Sequence, residues 1–270
     1  MDLNRPWADY SYVAFDTETS GAWPVGCDIV EFGAVKWQGG REIDHLQFLF
    51  KPREPMTDFI IGIHGITNEM VASAPAVSSE IQRIADFFRG SIPMAHHAPF
   101  DLGFVALDME RADIPFPQEP VLCTSLLARQ LIHGVQNHKL QTLVAHFGIN
   151  GGAAHRALDD ARSCLHVGLK CFEAKGPHAT LRDLLNTQQK NLRWENFSIL
   201  RNEDSLMKAI AKAASGKTLF HFIYDRGSEF RSALPLGLVR NPDGDFMQAI
   251  CQNDGIAKRF YLGKIKDFKS

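Results

Sequence analysis

Long apolar runs are missing from this 270-residue chain: no stretch approaches about 18 consecutive apolar residues, which excludes a transmembrane helix. The N-terminal stretch MDLNRPWADYSYV has no basic segment followed by an apolar one, so a secretory signal is not expected. Cysteine is scarce and scattered. Five residues (Cys27, Cys123, Cys164, Cys171, Cys251), odd in number and with no CxxC pair, argue against a disulfide framework or a zinc ribbon. They fit reduced thiols and a cytoplasmic location. No internal repeat or low-complexity segment is present. Nor is there an excess of one charge sign, since 29 Lys and Arg stand against 31 Asp and Glu. That balance hides an asymmetry. Residues 1–175 hold 14 basic against 21 acidic side chains, a net −7, and residues 176–270 hold 15 against 10, a net +5. Such a split fits either two modules with different partners or compositional scatter.

What is present reads as a soluble α/β protein, with 45% hydrophobic and 22% charged residues. The length suits one domain of about 150–200 residues plus a smaller one. Strand patterns are expected at 11–16, 28–37 and 43–50, a helix at 77–89, a strand at 92–96 and a helix at 99–112. A strand at 121–124 then leads into helices at 124–132, 138–147 and 156–173. Antiparallel strands followed by strand–helix alternation predict a mixed sheet covered by helices. Polar clustering and weak periodicity place a linker at 176–200. Residues 201–270 read as a short helix, then strands at 218–225, 230–240, 245–251 and 258–268 joined by Asn-Pro-Asp-Gly and Asn-Asp-Gly turns, a small all-β module.

The chemistry-bearing residues start in VAFDTETSG, residues 13–21. Asp16 and Glu18 are two apart in a strand and therefore share a face, at the end of a segment that looks buried. Like charges that close disfavour each other's ionisation. Two later motifs add to them: HHAPFD places Asp101 at a helix start after a strand, and HRALDDA places His155 and Asp160 at the start of a late helix. Four converging carboxylates call for cations, and Mg²⁺ or Mn²⁺ is the match for hard oxygen donors. Two such ions suit a phosphoryl displacement, with a histidine positioned to take a proton from water.

FDTET, HAPFD and HRALDDA resemble the three signatures of the DEDDh 3′→5′ exonucleases, typified by the proofreading epsilon subunit of bacterial DNA polymerase. The resemblance covers residues 10–173 and implies an RNase H-like mixed sheet flanked by helices. It also implies two Mg²⁺ or Mn²⁺ ions, with Asp16, Glu18, Asp101 and Asp160 as metal ligands and His155 as the general base. Glu18 and the Thr19 backbone would meet the terminal 3′ hydroxyl, so Glu18 counts as catalytic as well. HGIT (64–67) resembles the stretch that contacts the terminal nucleotide, which puts His64 and Ile66 with Thr19 and Phe100 among the substrate contacts. By pattern alone, Phe100 reads as core before base-stacking, and His64 reads equally well as structural. His97 departs from the family, standing where many members carry Asn. The implied reaction is hydrolysis from a 3′ end of nucleic acid, DNA favoured and single-stranded, releasing nucleoside 5′-monophosphates, with a polymerase or repair factor as partner.

The segment LPLGLVRNPDGDFMQAICQNDGIAKRFYLGKIKDF resembles the WYL domain, a small SH3-like β-barrel of bacterial regulators, although Asp245-Phe246-Met247 replaces the naming tripeptide. Arg226, Arg231, Arg240, Lys258 and Arg259 are candidates for phosphate contact there. The alternative functions are an RNA-specific exoribonuclease and a non-catalytic regulator acting through this tail. Oligomeric state is not legible.

Overall fold

The computed structural model describes residues 1–269. Its first sheet contains β1 (Tyr12–Thr19), β2 (Ile29–Gln38), β3 (Arg41–Leu49), β4 (Ile92–Ala95) and β5 (Leu122–Cys123), in the order β3-β2-β1-β4-β5. β1, β2 and β3 pair antiparallel, whereas β1, β4 and β5 run parallel, so the sheet is mixed. β2, sequence IVEFGAVKWQ, is apolar along nearly its whole length because both of its faces are covered. On one face Val13, Phe15 and Phe32 pack with Phe88 from α2 (Ile81–Phe88), with residues of α3 (Pro99–Arg111), and with Trp194. On the other, Tyr12, Ala14, Val35 and Met94 pack against α6 (Ala157–Lys175). The α6 stripe of Ala161, Cys164, Leu165, Gly168, Cys171 and Phe172 follows helical spacing. Each large side chain buried this way contributes about 1.5–3 kcal/mol. α4 (Thr124–Leu131) and α5 (Leu140–Phe147) complete that layer. A short helix, α1 (Asp58–His64), lies outside the expected elements; it is capped by Thr57 and carries Phe59 and Ile63 at the surface.

Residues 176–200, expected to be a linker, are packed structure instead. α7 (Leu181–Thr187) starts in a capping box between Thr180 and Asp183. Gln188 accepts from Cys123 N (2.9 Å) and donates to Val121 O (3.0 Å), and Leu192 bridges to Val121 beyond the sheet edge. Leu192, Trp194 and Phe197 are fully buried in the front core. Their apolar anchors are spaced too irregularly to show a period, which is why the segment reads as loop.

The tail begins with α8 (Ser205–Gly216), capped by Asp204. β6 (Phe220–Tyr224), β7 (Arg231–Val239), β8 (Phe246–Cys251), β9 (Ala257–Tyr261) and β10 (Ile265–Lys269) follow, antiparallel in the order β10-β6-β7-β8-β9. The single strand expected at 258–268 is broken by a 3₁₀ turn at 262–264 into β9 and β10, which sit at opposite edges. The sheet is therefore open, in place of the expected closed barrel. Its core includes Val25 and Leu107 from the front unit. Glu110, near the end of α3, is buried and accepts from Ser198 Oγ and from the amides of Ile199, Leu200 and Arg201, which fixes the chain where the units meet. At Gly237 a Cβ would fall 2.3 Å from Trp23 Cβ, so the β1–β2 loop lies directly on β7.

Candidate active site

β4 pairs with β1 only as far as Ala14↔Met94, after which the chain turns into α3. Beyond that point β1 loses its parallel neighbour, and Asp16 and Glu18 line an open cleft at the carboxyl end of the strand, where α/β sheets place ligands. They belong to the α6 side of the alternation, with Tyr12 and Ala14. The neighbour of Asp16 on β2 is Gly33, where a Cβ would come within 2.1 Å of Leu158 N. Only glycine lets the first turn of α6 settle there, and that turn carries Asp160.

The cleft has a volume of about 460 Å³, and Asp16, Glu18, Asp101, Asp160 and His155 all border it. A ring nitrogen of His155 and carboxylate oxygens of Glu18 and Asp160 lie within 4.8 Å of one another. Asp101 enters from the first turn of α3, and its Oδ1 accepts from Thr17 N (3.0 Å) and Thr17 Oγ1 (2.8 Å). Asp160 accepts from Gln141 Nε2 (2.9 Å) and from His155 N (2.8 Å), so the same carboxylate that faces the cleft also holds the histidine's backbone. His155 and His97 both adopt left-handed backbone, with φ of 62° and 67°. That region favours Asn, with His also tolerated, so the backbone at 97 accepts a histidine. His96 beneath it is neutral: burial pushes its pKa down to about 4, its Nε2 donates to His138 O, and its Nδ1 accepts from Thr124.

The electrostatics are those of a site short of positive charge. Desolvation, followed by the charges of Asp101, Glu18 and Asp160, holds the Asp16 pKa well above the usual carboxylate range. Desolvation, with Asp160, Glu31 and Asp101, pushes Glu18 up to about 8. Asp101 rises to about 7 by desolvation, against the Thr17 hydrogen bonds, and Asp160 is raised for the same primary reason. Acids that hold protons this strongly accept a hard cation in exchange, so the donor set fits Mg²⁺ or Mn²⁺.

A second cleft of about 280 Å³ adjoins the first and shares Thr17, Glu18 and Phe100 with it. Thr19, Gly21, Ala22, Phe59, Ile60, Ile63 and His64 form the rest of its wall. Of the expected substrate contacts, Thr19, His64 and Phe100 border this space; Ile66 does not. Its side chain is fully buried among Val30, Met56 and Val71, and its amide donates to His64 Nδ1 (3.0 Å). Phe100 packs against Phe104 and borders both clefts.

Several residues escaped the reading of the sequence. Phe59, 78% exposed, stands on the helix that was not foreseen. Thr17 and Gln141 hold Asp101 and Asp160. Glu31 lies opposite Glu18 on β2, fully buried, and accepts from the Arg156 guanidinium (2.8 Å), from Ala157 N (3.1 Å) and from Gln47 (2.9 Å). The signal for it was an acid inside the apolar run DIVEFGAV, which requires a buried partner. In the tail, Arg240 pairs with Asp245 (2.9 Å) and donates to Ser198 O, so it latches the two units together instead of lying free for phosphate.

A mixed sheet with helices on both faces and an acidic cleft at the carboxyl end of its central strand defines a nuclease-type fold and site. The chain belongs to the exonuclease family (RNase_T), which matches residues 13–167. It is 32% identical over 223 residues to the PolC-type DNA polymerase III of Halalkalibacterium halodurans, covering 82% of this chain and 15% of that protein. To the PolC-type enzyme of Bacillus subtilis it is 35% identical over 171 residues, 63% of this chain and 12% of the relative. The chain thus spans under a fifth of the length of these relatives. Among solved structures, the nuclease domain of 3′hExo, a DEDDh family member bound to rAMP, matches with TM-score 0.52 at 16% identity, over 64% of this chain and 96% of that one. Exonuclease I of E. coli in complex with a dT13 oligonucleotide matches with TM-score 0.53 at 16% identity, over 89% of this chain and 55% of that one. These two establish a shared fold. The second match is longer than the front unit alone, so it extends into the tail.

Proposed function

We propose that this chain is a divalent-metal-dependent 3′→5′ exonuclease that releases nucleoside 5′-monophosphates from single-stranded 3′ ends, with DNA as the favoured substrate. The reading is carried by one observation: four carboxylates from three separated motifs line one cleft, where burial first, and for Asp16 and Glu18 the neighbouring acids second, disfavours their charged forms. Two Mg²⁺ or Mn²⁺ ions held by Asp16, Glu18, Asp101 and Asp160 would supply charge neutralisation and an acidified water. His155 then serves as the base, its ring nitrogen taking the proton of the attacking water beside Glu18 and Asp160. Thr17 fixes Asp101, and Gln141 fixes Asp160. The adjoining cleft receives the terminal nucleotide, with Thr19 and His64 in its wall and Phe59, Ile63 and Phe100 offering apolar surface to the base. Lys139 at the rim of the acidic cleft is placed to meet a phosphate.

The preference for DNA and an association with a polymerase rest on the kinship with PolC-type DNA polymerases. For the tail we take an accessory role in holding the strand, with Arg226, Arg231, Lys258 and Arg259 as contacts; its likeness to the WYL domain rests on sequence alone. The test is a 3′-labelled DNA strand incubated with protein and Mg²⁺ or Mn²⁺. Stepwise release of labelled 5′-mononucleotide that is abolished in Asp16→Ala is the expected result. No release by the wild type, or full activity in the variant, refutes the reading. An RNA strand run in parallel decides between the two nucleic acids.

A further inference from the structure

We propose that Glu31, through Arg156 and the amide of Ala157, is the positioning residue for His155. The inference rests on the exonuclease reading above and deepens it. His155 stands in a short segment with left-handed backbone just before α6, and its side chain is exposed, so packing alone does not hold the ring over the cleft. Two carboxylates hold that segment from below. Asp160 accepts from His155 N (2.8 Å), and Glu31 accepts from Ala157 N (3.1 Å) two residues on. Glu31 also takes a forked contact from Arg156, with Nε at 3.2 Å and Nη2 at 2.8 Å. Gln47 on β3 donates to Glu31 Oε1 (2.9 Å), the oxygen that also accepts from Arg156 Nη2. The geometry of such a fork is rigid, and lysine cannot reproduce it.

Glu31 also sits on β2, between β3 and the central strand β1, directly opposite Glu18 on β1. One residue therefore references the base-bearing segment to the strand that carries two of the proposed metal ligands. Glu31 has no contact with the cleft itself and does not line it. Its action is to keep the His155 ring near Glu18 and Asp160 as α6 and the sheet fluctuate, which is how partners behind a reactive group tune it.

The test uses the full chain and the variants Glu31→Gln, Arg156→Lys, His155→Ala and Glu31→Gln/His155→Ala. Glu31→Gln keeps the buried volume, and Arg156→Lys alters a side chain that is 37% exposed, so at least one of them folds. Each single change is expected to lower kcat about 10- to 100-fold while KM changes by no more than about two-fold. In the His155→Ala background the Glu31 change is expected to cost less than about two-fold more, because the residue it positions is already gone. An equal loss in both backgrounds overturns the proposal and assigns Glu31 a purely structural role. A second arm needs no metal and no turnover. The ring resonances of His155, assigned by their loss in His155→Ala, are expected to shift in both Glu31→Gln and Arg156→Lys, while those of His146 and His166 stay. Unmoved His155 signals overturn the proposal even if the enzyme is active. A wild type that releases no nucleotide refutes the exonuclease reading instead, and the resonance arm still decides the positioning.

Discussion

Glu18 and Glu31 face each other across β1 and β2, yet their surroundings treat them in opposite ways. Like charges directly opposite in a sheet repel. Glu31 is resolved: burial alone would raise its pKa, but the Arg156 fork, the Ala157 amide and Gln47 outweigh that and hold it below the usual range. Glu18 is left open, its pKa pushed up to about 8 by burial and three acidic neighbours, with only the distant pull of Arg156 against them. The same contrast runs along α3. Asp101 in its first turn is raised to about 7, whereas Glu110 in its last turn is saturated by three amides and a hydroxyl where the tail attaches. A buried acid whose partners are built into the chain holds the fold together. One whose partners are missing leaves a place for something the chain does not supply.

Breaking each side of that contrast has a distinct signature. The largest effect is expected for Asp16→Asn, which removes a proposed ligand: nucleotide release falls at least about 10³-fold, a loss of about 4 kcal/mol in transition-state stabilisation. The same variant is expected to melt higher than wild type at pH 8 without metal, because the cost of burying this carboxyl among other acids is gone. A lower Tm would show that the cluster is not strained. On the satisfied side, Glu31→Ala strands Arg156 and is expected to cost about 3 kcal/mol, the low end for a buried pair because the guanidinium keeps partial access to water. Chemical denaturation reads this directly. Gly33→Ala comes next. A Cβ 2.1 Å from Leu158 N forces the start of α6 away from the sheet, with about 1–3 kcal/mol lost and a larger proportional loss in activity than in stability.

The smallest and most diagnostic effect is on pH dependence. Glu18 and Asp101 have folded pKa values above their unfolded ones, so the metal-free native state binds more protons than the unfolded state between about pH 4.5 and pH 8. Stability from these groups is full below that window and is lost as pH rises through it. The Tm of the metal-free protein should therefore drop by at least about 3 °C from pH 5 to pH 8, and Mn²⁺ should restore more at pH 8 than at pH 5. A flat or rising Tm would show that the acids are already compensated.

How much of this was legible in the chain follows from the range of each interaction. Asp16, Glu18, Asp101, His155 and Asp160 stand out because each breaks a local pattern at an element end, and all five border one cleft. Glu31 stayed hidden because its partner Arg156 lies 125 residues away, and an isolated acid in a strand does not name its cation. The burial of the Ile66 side chain among Val30, Met56 and Val71 is not legible, since an apolar residue inside a polar motif looks the same whether it faces a ligand or the core. Residues 176–200 looked like a linker because Leu192, Trp194 and Phe197 are buried one at a time against a surface formed elsewhere, with no period of their own. The strands of the tail were visible from their turns, but whether the sheet closes depends on pairing between β9 and β10, and alternation does not encode that.

The central claim is that the open acids exchange protons for hard cations. Titrating Mn²⁺ into the metal-free protein at pH 7, in buffers of different ionisation enthalpy, measures that exchange. Binding should release about one proton or more per protein, since Glu18 and Asp101 are substantially protonated at that pH, and Glu18→Gln should lower the number released. Binding without proton release, or no binding, would contradict the account.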